Sequence, residues 1–439
     1  MPDKKSKNIF SHLFSHLRNW DLSAASRFTL ALCLVALLLG ARSSAQTVTD
    51  IYDFTGLSDG WDPNAPMIAG SDGSLYGTTL YGGDLTCAGG FGYGCGTVYQ
   101  LTPSGGHWIE STLYQFRGGK DGFQNYSTLT LDNAGRLYGA TDVGTPYGAI
   151  FRLTPGAPGK LWRFSLLYQF KGQRDGSYPL TPVFLDQSGA IYGASIQGGL
   201  SGKGCNQQFG CGAIFQLVPP AHKDGPRTAN VLYEFQGVND GGNPTSMIMD
   251  GTGTIYGTTA YGGAFNKNCP LGCGVIFQLF PVNGTWAYKV LYTFHGAPHQ
   301  SPSNLIADGE GNLFGLVGFS GYEAGDIVEL SPPTGGLGPW TLSYIHQFHH
   351  NYPATNLTLG PNGTLYGDIY GDQDLDAGYI FQMTPPQPGG SWTYNTLINF
   401  NKQFIGQNPC GVVVGLQGDI YSPLSGGGYG NGSIVSVAP

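Results

Sequence analysis

Seven copies of one short pattern run through this 439-residue chain. An aliphatic–aromatic–Gly core recurs as Leu75-Tyr76-Gly77, Leu137-Tyr138-Gly139, Ile191-Tyr192-Gly193, Ile255-Tyr256-Gly257, Leu313-Phe314-Gly315 and Leu365-Tyr366-Gly367, with a weakened copy at Ile420-Tyr421-Ser422. Successive aromatic positions stand 52 to 64 residues apart. Two further elements also occur seven times. One resembles Gly-x-Ile-Phe-x-Leu and begins at Gly96, Gly148, Gly212, Gly274, Gly325, Gly378 and Gly432. The other resembles Leu-Tyr-x-Phe and begins at Ile51, Leu113, Leu167, Leu232, Leu291, Ile345 and Leu397. Self-similarity at a fixed period is the signature of a repeat architecture.

Each unit reads as four short strands. Strand a precedes an Asp-x-x-Gly turn, as in Thr128 to Asp132, where the turn runs from Asp132 to Gly135. Strand b carries the aromatic–Gly core and strand c the Ile-Phe segment. Strand d is usually opened by Trp, at Trp108, Trp162, Trp286, Trp340 and Trp392. No sustained 3.6-residue apolar period follows residue 46, so the class is all-β. Four strands per unit of this length specify propeller blades, since solenoid coils are much shorter. The 72 Gly and 28 Pro would suggest low complexity if scattered. Here they follow the repeat, and 41% hydrophobic residues supply the core.

The phase of the repeat predicts how the ring closes. The chain after residue 46 begins with a d-type strand, Val48 to Phe54, and ends with a c-type strand, Gly432 to Val437. The last blade therefore takes three strands from the C-terminus and one from the N-terminus, which leaves no open edge. The expected fold is a seven-bladed β-propeller occupying residues 46–439.

Leu-Tyr-x-Phe, Asp-Gly, Leu-Tyr-Gly-Thr-Thr, Gly-Gly and Cys-Gly-x-Ile-Phe-x-Leu follow one another in a fixed order. Gly77-Thr78-Thr79 with Tyr81-Gly82-Gly83, and Gly257-Thr258-Thr259 with Tyr261-Gly262-Gly263, are the fullest copies. This pattern resembles the Gloeo/Verruco (GloVer) tandem repeat over essentially the whole chain after the leader. The resemblance implies an exported bacterial protein of a group often anchored through C-terminal sorting signals. It implies no activity. The sequence ends at Pro439 without such a tail, so release is expected.

Residues 1–45 read as a signal peptide. Lys4, Lys5, Lys7, Arg18 and Arg27 precede the apolar run Phe28 to Gly40, and Ser43-Ser44-Ala45 offers small residues before a cleavage at Gln46. Thirteen apolar residues are too few to span a bilayer. Removing the leader takes six of the 20 Lys/Arg and two of the 28 Asp/Glu, leaving a net charge of −12. An acidic chain without a basic patch excludes a nucleic-acid partner. Neutral glycans, cations and proteins remain, and the localisation expected is secreted, periplasmic or cell-surface, as a monomer.

Ring topology places the b–c and d–a loops on one face, here called upper. Cys87/Cys95, Cys205/Cys211 and Cys269/Cys273 each lie in one b–c loop. For an exported chain local disulfides are the favoured reading; a zinc site is the rival, weakened because no His accompanies any pair. Cys410 is left over, at the start of a strand a, and is expected to be a buried thiol. Asp59, Asp121, Asp175 and Asp240 each precede Gly in a d–a loop. They read either as turn caps or as a carboxylate ring that binds a ligand.

Blades 5 and 6 break the pattern. Their d–a loops carry His295, His299, His349 and His350, candidates for general-base catalysis or metal binding. Their b–c loops carry Glu323, Asp326, Asp372, Asp374 and Asp376. The i, i+2, i+4 spacing of the last three suits calcium, although the glycine and twelfth-position Glu of an EF-hand are missing. His346 lies in strand d and is expected to pack. Gly-x-Ser-x-Gly, phosphate-loop and His-Glu-x-x-His motifs do not occur. The expected function is non-enzymatic binding of a glycan or cell-envelope component through the upper face. The alternative is a polysaccharide lyase or hydrolase using the blade 5 and 6 loops.

Overall fold

The computed structural model describes residues 47–438 except 88–91, 124–126, 142–146, 158, 206–208, 221–226, 297–300, 319–324, 337, 349–353, 372–376, 388–389, 401–406 and 427–429. Its strands form seven four-stranded antiparallel sheets, each in the order a-b-c-d. Blade 1, for instance, comprises Ile68–Ala69, Leu75–Thr78, Thr97–Ser104 and His107–Gln115. Blade 7 comprises Val413–Val414, Ile420–Leu424 and Ser433–Val437, completed by the N-terminal strand Val48–Asp53. The fold is thus a seven-bladed β-propeller closed in the predicted phase. Among the described residues no helix is long and apolar enough to cross a membrane.

The repeated motifs are packing partners of one another. The Phe of strand c lies over the Gly of strand b. A Cβ on Gly193, Gly257 or Gly367 would come within 2.4 Å of the ring of Phe215, Phe277 or Phe381. In blade 1 a Cβ on Gly77 would meet the Tyr99 hydroxyl at 2.3 Å. Where strand c has Val435 instead, strand b carries Ser422 as its cross-strand partner. In blades 1, 2, 3, 4 and 6 the glycine thus leaves space for a ring, while blade 5 keeps Gly315 opposite Val328 without one.

The strand-d tryptophans join neighbouring blades. Trp162 of blade 2 packs on Tyr76 of blade 1 at 6.4 Å between ring centroids, and Trp286 on Tyr192 at 6.1 Å. Trp340 meets Tyr256 at 6.3 Å, Trp392 meets Phe314 at 5.6 Å, and Trp108 meets Tyr421 across the closure at 5.4 Å. Each such contact buries a large apolar area between two sheets that share no ladder.

Strand a is shorter than expected in blades 1, 2, 3 and 7, with only two residues. Side-chain hydroxyls have taken over ladder positions. Ser127 Oγ accepts from the Ala140 N–H at 3.2 Å, and Thr181 Oγ1 from the Ala194 N–H at 3.0 Å. Other hydroxyls stitch one innermost strand to the next. Thr130 Oγ1 donates to the Val183 carbonyl, and Thr358 Oγ1 to the Val412 carbonyl, each at 2.5 Å.

Candidate functional site

Three disulfides, Cys87–Cys95, Cys205–Cys211 and Cys269–Cys273, close the b–c loops of blades 1, 3 and 4 as predicted. Two of them bear on the following d–a loop. A Cβ on Gly237 would lie 2.6 Å from Cys205 Sγ, and one on Gly296 2.9 Å from Cys273 Sγ. Cys410 is buried and unpaired with another cysteine. Its thiol donates to the Asn408 carbonyl at 3.2 Å. Burial, with Asp368 and Asp62 nearby, holds its pKa far above the usual thiol range.

The four Asp-Gly carboxylates share one environment. Each accepts a hydrogen bond from the tyrosine seven residues earlier, in Leu-Tyr-x-Phe. The pairs are Tyr52–Asp59 at 2.9 Å, Tyr114–Asp121 at 2.5 Å, Tyr168–Asp175 at 2.8 Å and Tyr233–Asp240 at 2.9 Å. Backbone N–H groups cap the same carboxylates: Thr55 on Asp59, Lys171 on Asp175 and Gln236 on Asp240. Burial first, then the acceptor carboxylate, raises these phenols above their ordinary range. The glycine that follows needs both a positive φ and empty space. A Cβ on Gly176 would lie 1.8 Å from Ser195 Oγ, and one on Gly241 2.3 Å from Thr259 Oγ1.

His295 is exposed, at the end of strand d of blade 4, and its carbonyl accepts from Asn266 Nδ2 at 2.9 Å. His346 takes the place of the Leu-Tyr-x-Phe tyrosine and stacks on Tyr394 at 4.1 Å, as Tyr233 stacks on Tyr288 at 4.0 Å. Asp326 does not lie in the b–c loop as expected. It opens strand c of blade 5 and pairs with Val317 and Gln347, because the ladder begins one residue after Gly325. His299, His349, His350, Glu323, Asp372, Asp374 and Asp376 lie outside the described residues. Among the described residues no group of three His, Cys, Asp or Glu side chains could hold a metal ion.

The Gly-Gly pairs do the positioning on the upper face. Gly82 N–H donates to the Tyr93 carbonyl at 2.7 Å, and Gly83 N–H to the Leu57 carbonyl at 2.7 Å. Gly198 and Gly199 hold Phe209 and Gln173 in the same way, and Gly262 and Gly263 hold Leu271 and Val238. Both glycines of each pair have φ between 67° and 81°. One b–c tip and one d–a loop are thus tied together in each of these blades. The tip residue points a large apolar side chain outward: Tyr93 is 57% exposed, Phe209 46% and Leu271 41%.

Blade 1 adds two rings. Trp61 and Tyr81 form an isolated antiparallel bridge, and their rings lie 5.2 Å apart. Tyr93 stands 5.7 Å from Trp61 and 6.2 Å from Tyr81. Sequence reasoning missed this cluster. Tyr81 belongs to the recurring Tyr-Gly-Gly, whereas Trp61 departs from the repeat at a single position, which a search for recurring motifs passes over.

The central cavity, about 810 Å³, is walled by innermost strands and includes Leu129, Met247, Leu305 and Leu357 beside Thr and Asn side chains. None of its lining residues is charged. Several of its polar groups are engaged between blades: Ser246 Oγ accepts from Leu305 N–H at 2.8 Å, and Asn304 Oδ1 from Leu357 N–H at 2.8 Å.

The profile of the Gloeobacter/Verrucomicrobia repeat matches residues 38–205, 84–316 and 205–436, three overlapping stretches that together run almost to the C-terminus. The chain belongs to that repeat family. No functionally curated protein is detectably similar in sequence. Among solved structures, YCF48 from Cyanidioschyzon merolae superposes with a TM-score of 0.52 at 10% identity, covering 89% of this chain and 98% of that one. The extracellular domain of a one-component system from B. thetaiotaomicron also gives 0.52, at 12% identity and 89% of this chain. This chain spans 40% of the length of that relative. At such identities the likeness is one of fold. In the Gloeobacter/Verrucomicrobia repeat as it stands here, the strand-b Gly, the Leu-Tyr-x-Phe Tyr, the Asp-Gly Asp and the strand-d Trp are accounted for by packing and capping.

Proposed function

We propose that the protein is an exported, monomeric, non-enzymatic propeller that binds a neutral glycan of the cell envelope or surroundings through its upper face. The observation that carries this reading is the exposure of Tyr93, Phe209 and Leu271 at one equivalent backbone position. Each is fixed by a Gly-Gly pair and stands two residues before a disulfide cysteine. Large apolar groups held rigidly in solvent lose little freedom on binding, which favours a contact surface. Exported character is supported by the three disulfides and by the basic-apolar leader. The low charge content, 11%, and the acidic balance disfavour polyanions.

The enzymatic alternative rests on His299, His349 and His350, and the calcium reading on Asp372, Asp374 and Asp376; no described contact favours either. Residues 46–439 incubated with a panel of insoluble polysaccharides test the choice. Retention without new reducing ends or unsaturated products supports a binder. Released products establish an enzyme, and the absence of both retention and products refutes the glycan reading.

A further inference from the structure

We propose that Trp61, Tyr81 and Tyr93 on blade 1 form a stacking site for one pyranose ring of a neutral glycan. This rests on the upper-face reading above and gives it a location and a ligand chemistry.

The fold does not require these rings. Blade 3 has Ser177, Gln197 and Phe209 at the same three positions, and blade 4 has Gly242, Tyr261 and Leu271. The backbone is unchanged: Ser177 bridges Gln197 and Gly242 pairs with Tyr261, as Trp61 bridges Tyr81. Gly198 and Gly262 likewise bond the tip carbonyls of Phe209 and Leu271. An aromatic trio is therefore an addition to blade 1 and not a condition of its folding. The tryptophans make the same point. Trp108, Trp162, Trp286, Trp340 and Trp392 fill the repeated inter-blade position, whereas Trp61 stands outside it.

The geometry is that of a fixed platform. Trp61 and Tyr81 exchange backbone hydrogen bonds at 2.9 and 3.0 Å, and the Tyr93 carbonyl is held by Gly82. The Cys87–Cys95 disulfide ends two residues beyond Tyr93. The rings meet at interplanar angles of 45° to 66°, so they make an open corner and not a closed stack. Tyr93 is 57% exposed, so its ring offers an open face and not a buried anchor position. A saturated sugar ring presents C–H groups on one face and hydroxyls at its rim. That matches aromatic faces edged by two phenols.

Charge favours a neutral ligand. The acids Asp62 and Asp84 adjoin the rings in the chain. Asp62 is partly exposed, in the left-handed region at φ 59°. Tyr178, Asn243 and Asn408 also precede a proline at φ 55° to 60°, and none of them is charged. Burial pushes the Asp62 carboxyl up to about 6. Its carboxyl accepts from Asn64 Nδ2 and lies toward Cys410, so the acid left to repel uronates is Asp84, which bonds from Thr86 hold below the usual carboxylate range.

The test is a titration of residues 46–439 with cellohexaose, laminarihexaose, xylohexaose and a hexagalacturonate, followed by tryptophan fluorescence and calorimetry. At least one neutral hexasaccharide should bind and shift the fluorescence, with hexagalacturonate weaker. Tyr93→Ala, at an exposed position, should weaken binding about tenfold or more with an unchanged melting temperature. Leu416→Ala, at a 65% exposed position in the a–b turn of blade 7 and so on the opposite face, should stay within about twofold, the scale of a non-contacting surface change. Trp61→Phe should weaken binding and abolish the fluorescence shift. Undiminished binding in Tyr93→Ala overturns the blade 1 site while leaving the face reading intact. Failure of the wild type to bind any neutral glycan overturns both, as does tighter binding of a proline-rich peptide at the same rings.

Discussion

Val48 and Val437 are partners in one antiparallel ladder, so the first strand of the described chain forms the outer edge of the sheet that holds the last. Thr47 and Ala438 extend it, the Ala438 N–H donating to the Thr47 carbonyl at 3.2 Å. Deletion of Val48–Asp53 strips blade 7 of its outer strand and bares strand c. The expected result is aggregation, or a fall in melting temperature of about 10 °C or more. Light scattering and calorimetry check it, and an unaltered melt would contradict the closure.

The Tyr233–Asp240 bond predicts a cost for losing the carboxylate. Asp240→Ala leaves the Tyr233 hydroxyl and the Gln236 and Val238 N–H groups without their acceptor. The loss should be about 2–3 kcal/mol, the usual penalty for stranding partly buried donors. Chemical denaturation measures this, and glycan retention should persist in the same variant.

Non-reducing peptide mapping should return Cys87–Cys95, Cys205–Cys211 and Cys269–Cys273, with Cys410 alkylated only after unfolding. Replacing Cys205 and Cys211 together by Ser should cost about 2–3 kcal/mol on the chain-entropy account of a short loop. Rapid labelling of Cys410 in the native protein would contradict its burial.

Two carboxyls predict a pH slope. Burial pushes Glu110 up to about 7 and Asp62 up to about 6. In the unfolded chain both titrate near 4, by reference values of ~4. Above that the folded state holds protons the unfolded state has released, so stability is full below about 4 and declines as pH rises through about 6 and 7. Asp132 and Asp186 act oppositely. Despite partial desolvation, bonds from Arg136 and Ser188 lower them, and their contribution is lost only as acid passes below the usual carboxylate range. The melting temperature should be higher at pH 5 than at pH 8, with a shallower slope in Glu110→Gln. An unchanged slope in that variant would remove Glu110 from the account.

Blade number, strand order and closing phase were legible because each is written seven times, and period and phase survive the loss of any one copy. The disulfides were legible because both cysteines of each pair lie within one loop. The extent of strand a was not. Ser127 and Thr181 replace backbone bonds with hydroxyl bonds, a choice that residue type alone does not announce. Nor was the duty of Asp59 or Asp240 legible, since turn cap and exposed ligand group use the same residue. The partner tyrosine seven positions earlier separates them only once both lie on one face. Trp61 was overlooked for the opposite reason: it occurs once.

The shared blade also makes completion of the fold a check on chain length. Blades 1 to 6 each draw four strands from contiguous sequence and can assemble as soon as their own segment is available. The strand Val48–Asp53 is made first, yet it finds no partner until Ser433–Val437 exists. A product broken off between residues 400 and 412 keeps six finished blades and one orphaned strand, with both ends of the row unsealed. Such a fragment offers sticky edges to proteases and to its own kind. Only pairing of Val48–Asp53 with Ser433–Val437 covers them, so one pairing decides whether the row of blades has open ends.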